Sequence, residues 1–157
     1  MAYEFKWARL ESLTAQELHA VLAARESVFV VEQRCAYQEA EALDAHAWHL
    51  RVFQAGALAA YARVVDPGYK YPQPSIGRVL TIPAFRGQGV GRALMQEAMR
   101  FTALHHPHAD IQISAQAYLR GFYASLGFEA VGEGYEEDGI PHLGMVKPAI
   151  QGLSKRI

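Results

Sequence analysis

The segment Ile76-Gly77-Arg78-Val79-Leu80-Thr81-Ile82-Pro83-Ala84-Phe85-Arg86-Gly87-Gln88-Gly89-Val90-Gly91-Arg92-Ala93 constrains the fold more than any other part of the chain. The run Ile76 to Ile82, rich in β-branched residues and stopped by Pro83, reads as a strand. Three alternate glycines then form a tight turn. Behind it, Val90, Leu94, Ala98, Phe101 and Leu104 recur on one face of a helix running to about Leu104. Strand-helix-strand units of this kind imply a partly parallel sheet. The turn can aim several backbone N–H groups at one point, and the helix N-terminus adds the positive end of its dipole. Glycine permits the positive φ and the close approach that a ligand needs. Arg86 and Arg92 add charge nearby, so the local chemistry suits a phosphate or pyrophosphate.

Three phosphate-binding patterns compete for this turn. A P-loop requires a lysine that is absent here. A dinucleotide turn requires G-x-G-x-x-G, but the third glycine comes one residue early. Its acidic partner is due at the end of the next strand, whereas Asp110 begins one. The pattern R/Q-x-x-G-x-G/A of coenzyme A turns is met by Arg86, Gly89 and Gly91. A ligand-free glycine entry to a helix remains the plain alternative.

Around this centre the remaining elements fall into one domain spanning residues 1–157, with no linker or repeat. Tyr3 to Leu10 reads as a first strand. Thr14 and Glu17 form a capping box at a helix start. Leu18, Val21, Leu22, Val28 and Phe29 make the apolar stripe of that helix, with Arg25 in its middle. A buried guanidinium needs a carboxylate, and Glu32, Glu39, Glu41 and Asp44 follow. Arg25 is therefore either part of a structural ion pair or a wall of a polar substrate site. Gln33 to His46 reads as a loop. Trp48 to Phe53 and Ala57 to Val65 are strands joined at Gln54-Ala55-Gly56, and Asp66 to Ser75 is a proline-rich loop. Asp110 to Ala115 is a strand and Tyr118 to Leu126 a short helix stopped by Gly127. Phe128 to Gly134 and His142 to Val146 complete the set. Glu97 falls inside the second helix's apolar stripe without an evident partner. The order β-α-β-β-β-α-β-α-β-β implies a mixed α/β sheet flanked by helices.

Composition sets the outer limits. With 157 residues and 51% hydrophobic content the chain can bury a sizeable core. Fifteen basic against sixteen acidic residues argue against a nucleic-acid partner, which needs a basic face. Cys35 is the only cysteine, so neither an intrachain disulfide nor a cysteine zinc site is expected, and a reducing cytoplasm is the simplest compartment. Residues 1–10 lack a signal-peptide core, and no stretch approaches the ~18 apolar residues of a membrane span. The cluster His105-His106-Pro107-His108 lacks converging carboxylates, so no metal is expected. A homodimer is compatible with the pattern, but no interface is marked in it.

Taken with a second signature, Phe122-Tyr123-Ala124-Ser125-Leu126-Gly127-Phe128, the glycine turn resembles the GNAT superfamily of acyl-CoA N-acyltransferases. Val28-Phe29-Val30-Val31-Glu32-Gln33, Ile76 to Val79, Ser114-Ala115-Gln116-Ala117 and Tyr135 to His142 look like its ElaA-type branch. The resemblance implies a mixed sheet splayed between its two middle parallel strands. It also implies an N-acetyltransferase that moves acetyl from acetyl-CoA to a primary amine of a small molecule or peptide.

By the same resemblance, the backbone of Gly87, Gln88, Gly89, Val90, Gly91 and Arg92, with Arg86, would hold the pyrophosphate. The edge at Val79, Leu80 and Thr81 would bond the pantetheine arm and polarise the thioester carbonyl. Gln116 would bond the pantetheine or a turn. Tyr123 would protonate the departing thiolate. The carboxylate base that many relatives carry on the central strands is missing: Ile111 to Ala115 has no acid and Ile76 to Ile82 only Arg78. That leaves Glu32, Glu136, Glu137, Asp138 and His142 as bases, and also leaves open a non-catalytic acyl-CoA sensor. Arg25, Glu32, Asp138 and His142 are the candidate acceptor contacts. The acidic run Glu32 to Asp44 is expected to form an acidic face selecting a cationic amine.

Overall fold

The computed structural model describes residues 2–149. Seven strands form one sheet in the order β1-β2-β3-β4-β5-β7-β6. They are β1 (Glu4–Arg9), β2 (Ala47–Gln54), β3 (Ala57–Val65), β4 (Ser75–Thr81), β5 (Ile111–Gln116), β6 (Glu129–Glu137) and β7 (Ile140–Lys147). Three helices interleave them: α1 (Ala15–Arg25), α2 (Val90–His105) and α3 (Arg120–Ser125). The element order is the one read from the sequence. All neighbouring strands are antiparallel except β4 and β5.

Strand alternation sorts the two faces. Leu50 and Val52 of β2 and Ala60, Ala62 and Val64 of β3 pack with Val90, Leu94, Met95 and Ala98 of α2. The residues between them, among them Tyr61, face the other way toward Val21, Ala24, Val28 and Phe29. α1 begins as expected: the Thr14 hydroxyl accepts from the Glu17 amide at 3.1 Å, and the Glu17 carboxylate accepts from the Thr14 amide at 2.8 Å. It does not stop at Arg25 but widens into a π-helical segment, Glu26–Glu32, which keeps Val28 and Phe29 buried. The segment expected to be a loop from Gln33 to His46 contains a short 3-10 helix, Ala42–His46. Gln54 belongs to β2, so the β2–β3 connection is a two-residue turn, Ala55-Gly56, with both φ values positive. Glu97 has partners after all, accepting from the Arg100 guanidinium at 2.7 and 2.8 Å and from the Trp7 indole N–H at 2.8 Å.

Arg25 is fully buried. Its Nε donates to Glu39 Oε1 at 2.6 Å, Nη1 to Asp44 Oδ1 at 2.9 Å, and Nη2 to the Glu39 carbonyl at 2.8 Å. Arg63, equally buried, reaches Asp44 at 3.0 Å and Glu41 at 2.7 Å. Arg78 donates to Glu39 Oε1 at 2.8 Å. The expected acidic face is therefore corrected: Glu39, Glu41 and Asp44 are counterions of arginines, not a free negative surface. Arg25 lies inside this network as a structural residue. Beside it, His49 Nε2 donates to the Asp44 carbonyl at 2.9 Å, so Nδ1 accepts from the Tyr61 hydroxyl at 2.6 Å. Burial holds the His49 ring below its ordinary 6.5.

Among the described residues no helix is long and apolar enough to cross a membrane.

Two outcomes are expected. Arg25→Leu takes one of two arginine partners from each of the buried Glu39 and Asp44 and should cost about 3 kcal/mol in urea unfolding. His49 stays neutral in the fold while the unfolded chain takes up a proton near pH 6.5. Its contribution is thus complete above pH 6.5 and declines as pH falls below it. His49→Gln should flatten the stability–pH curve between pH 7 and 5; an unchanged slope would remove this assignment.

Candidate active site

β4 and β5 pair at a single position, Ser75 with Gln112, and then part. The strands are nearest at their N-terminal ends and open toward their C-terminal ends. A β-bulge enlarges the gap. Tyr61 pairs with Leu80 and Arg63 with Gly77, so Arg78 and Val79 together oppose Ala62 alone. Arg78 takes φ 51° to make this possible, a left-handed conformation in a residue that disfavours it.

The opening holds a cavity of about 340 Å³. Gly77, Arg78 and Val79 form one wall, Ile113, Ser114 and Gln116 the other, and Tyr123 lies between them. Tyr123 is buried, and none of the described residues hydrogen-bonds to its hydroxyl. Burial pushes that phenol up to about 12, so it remains protonated at neutral pH. The third side comes from the β6–β7 hairpin, which contributes Glu137, Asp138 and His142. Next to this cavity, at the glycine turn, is a second of about 320 Å³, lined by Thr81, Arg86, Gly87, Gly89, Gly91, Arg92 and Phe122. Gly87 (φ 80°) and Gly89 (φ 82°) take left-handed conformations, and a Cβ on either would project into open space. Gly89 is the N-cap of α2, so free helical N–H groups face this space.

The expected site residues divide as follows. Val79, Gln116, Tyr123, Asp138 and His142 meet in the central cavity. Thr81, Arg86, Gly87, Gly89, Val90, Gly91 and Arg92 meet at the turn. Leu80 points its side chain into the core with Val21 and Tyr61, so only its backbone can reach a ligand. Gln88 presents its carbonyl to the Tyr3 hydroxyl at 3.2 Å. Gln116 Nε2 donates to Gln33 Oε1 at 3.1 Å, tying β5 to the end of the π-helical segment. Glu32 and Arg25 line neither cavity. Both Glu32 oxygens accept from Arg86, at 2.6 and 2.7 Å.

Ser114 and Tyr135, seen in the sequence only as parts of branch motifs, Cys35, seen only as a lone thiol, and Lys70 also belong to the site. Tyr135 hydrogen-bonds to Ser114, while Ser114, Lys70 and Cys35 line the cavity. A signal for the hairpin was present: Asp138-Gly139 between strand-like runs marks a tight turn, and both φ values are positive. It brings Glu137 and Tyr135 beside His142.

A family model described as "Acetyltransferase (GNAT) domain" matches residues 10–149. The chain belongs to the GNAT acetyltransferase family. It is 43% identical over 147 residues to a UPF0039 protein of Synechocystis, covering 93% of this chain and 96% of that one. Protein ElaA of Escherichia coli is 40% identical over 141 residues, covering 88% and 92%. Among solved structures, an acyl-CoA N-acyltransferase of Pseudomonas aeruginosa superposes with a TM-score of 0.88 at 41% identity, covering 93% of this chain and 99% of the other. Escherichia coli ElaA superposes with a TM-score of 0.87 at 37% identity, with the same coverages. Membership establishes acyl-CoA-dependent acyl transfer as the reaction class of this GNAT fold. Among the described residues no group of three or more His, Cys, Asp or Glu side chains converges as metal ligands would.

Gly89→Asp tests the turn. The new side chain meets no neighbour within 4 Å, so the fold should lose only the cost of a left-handed non-glycine, about 1–2 kcal/mol. Coenzyme A binding by calorimetry should disappear, because a carboxylate would occupy the phosphate space. A folded variant with wild-type affinity would place the phosphates elsewhere.

Proposed function

We propose that this GNAT protein transfers acetyl from acetyl-CoA to a primary amine by direct attack, in the cytoplasm, where its one cysteine stays reduced. The observation that carries the proposal is that the buried Tyr123 lines the gap between β4 and β5 with its hydroxyl unpaired among the described residues. The glycine turn opens next to that gap.

The pyrophosphate lies over Gly87 to Arg92, where α2's free N–H groups and the helix dipole meet its charge. The pantetheine arm follows the unpaired edge of β4 from Thr81 to Val79. There it completes the sheet hydrogen bonds that β5 leaves unmade. A backbone N–H at the bulge polarises the thioester carbonyl as the amine attacks its carbon. Collapse of the tetrahedral intermediate breaks the C–S bond, and the Tyr123 hydroxyl gives its proton to the departing sulfur.

Tyr123→Phe keeps the ring, so stability and coenzyme A affinity should change little. Its kcat should fall by about 10²–10⁴, measured with acetyl-CoA against a panel of spermidine, lysine methyl ester and benzylamine. Unchanged turnover would remove Tyr123 from the chemistry. Tight acetyl-CoA binding without turnover on any amine would instead favour a sensor built on the same fold.

A further inference from the structure

We infer that Glu137 and His142 form the site that holds the acceptor's ammonium, and that His142 Nε2 takes the proton this amine must lose before attack; the inference rests on the acetyl transfer proposed above. An alkylamine is largely protonated at neutral pH, with an ordinary pKa near ~10.4. A base must therefore stand within reach of the thioester.

Of the other carboxylates near the cleft, all but Asp138, at the tip of the β6–β7 turn, are engaged or turned away. Glu32 is held by Arg86, Glu39 and Asp44 by Arg25, and Glu41 by Arg63. Glu136 alternates onto the face of β6 opposite Glu137. Glu137 differs: among the described residues its only ion-pair partner is His142, at 3.5 Å from Nε2. The His142 side chain is 10% exposed and lines the cavity with Tyr123.

The tautomer follows from geometry. His142 Nδ1 lies 2.7 Å from the Ile140 carbonyl, which can only accept, so Nδ1 carries the hydrogen. In the neutral ring the lone pair on Nε2 then faces the Glu137 carboxylate. Two acceptors converge there without a donor between them. A primary ammonium, with three N–H donors and a positive charge, satisfies both. Ser114 and Tyr135 are positioning residues. The Tyr135 hydroxyl donates to Ser114 Oγ, which donates to Glu137 Oε2 at 3.2 Å, and the Tyr135 ring stacks on His142. A double offset in the β6–β7 register between Val131 and Tyr135 brings this end of β6 alongside the cleft.

Two protons leave the nitrogen. The first passes to Nε2 and then to solvent past Glu137, which is 47% exposed. The freed lone pair forms the C–N bond. The second proton leaves the nitrogen of the intermediate and replaces the one that Tyr123 gives to sulfur. The products are the amide, free coenzyme A thiol and one solvent proton. Other titratable groups in the cavity are Lys70, Arg63 and Arg78, the Glu41 and Asp138 carboxylates, the Tyr37 and Tyr123 phenols and the Cys35 thiol. Arg78 is held by Glu39, and the Cys35 thiol points to the Gln33 and Asp138 carbonyls. Glu137 is the charge in contact with Nε2.

The test compares the best alkylamine of the panel with aniline, which is neutral at pH 7 and needs no deprotonation. His142→Gln should lower kcat/KM for the alkylamine by about 10²–10⁴ at pH 7. The deficit should shrink about tenfold per pH unit as free amine accumulates in solution. Coenzyme A affinity should stay within a few-fold of wild type, and the loss with aniline should be at least about tenfold smaller than the loss with the alkylamine. Glu137→Gln should raise KM for the alkylamine more than it lowers kcat. Equal losses with both amines, or no loss, would overturn the assignment while leaving the acetyl transfer standing. Wild-type protein inactive on every amine would overturn both. As a check that needs no variant, ¹⁵N NMR of the His142 ring should find the hydrogen on Nδ1; a ring protonated on Nε2 alone would also overturn it.

Discussion

The parting of β4 from β5 after one pair is the constraint on which the rest of the molecule depends. Two parallel central strands would ordinarily satisfy each other's backbone groups along their whole length. Here those of β4 beyond Ser75 face a gap, and unpaired polar groups in a protein interior are costly unless something bonds them. In the function proposed above, the extended pantetheine arm, which carries its own amides, answers that need. Both sheet halves are built to hold the gap open. The bulge at Arg78 and Val79 bends β4 away, and α3 seats Tyr123 across the opening.

The buried ionic network makes this opening permanent. Arg25, Arg63 and Arg78 share Glu39, Glu41 and Asp44, so α1, β3, β4 and residues 39–44 are tied together. A network of this kind adds little net stability against an apolar core of the same volume. What it fixes is position. The left-handed backbone at Arg78 is held by the side chain's own bond to Glu39. Strain at the bulge and charge in the core are two parts of one arrangement.

What the sequence revealed follows the range of each interaction. The Thr14–Glu17 box, the glycine turn and the Gly127 stop were legible because their partners lie within a few residues. Arg25 was legible as a problem, a cation in an apolar stripe, but not as a solution, because its carboxylates could equally have faced solvent. Glu97 pairs with Arg100 three residues on, a spacing the sequence does carry, whereas its second contact, with Trp7, lies 90 residues away and leaves no local trace. At the bulge the positive φ falls on Arg78 and not on the neighbouring Gly77, the strand glycine that marks the place only approximately. The array around His142 depends on two extra residues in β6, and register offsets leave no periodic trace.

β6 is the outermost strand of the sheet and is exposed along all nine of its residues. A free strand edge of that length is a template for another chain's backbone. Four glutamates, Glu129, Glu133, Glu136 and Glu137, line it, and the offset at Gly132 to Gly134 breaks its hydrogen-bonding rhythm. A neighbouring copy would bring the same negative charges against these. The strand that carries Glu137 to the cleft thus also guards the molecule against polymerising through its own sheet, so repulsion and irregularity there serve colloidal solubility as well as chemistry.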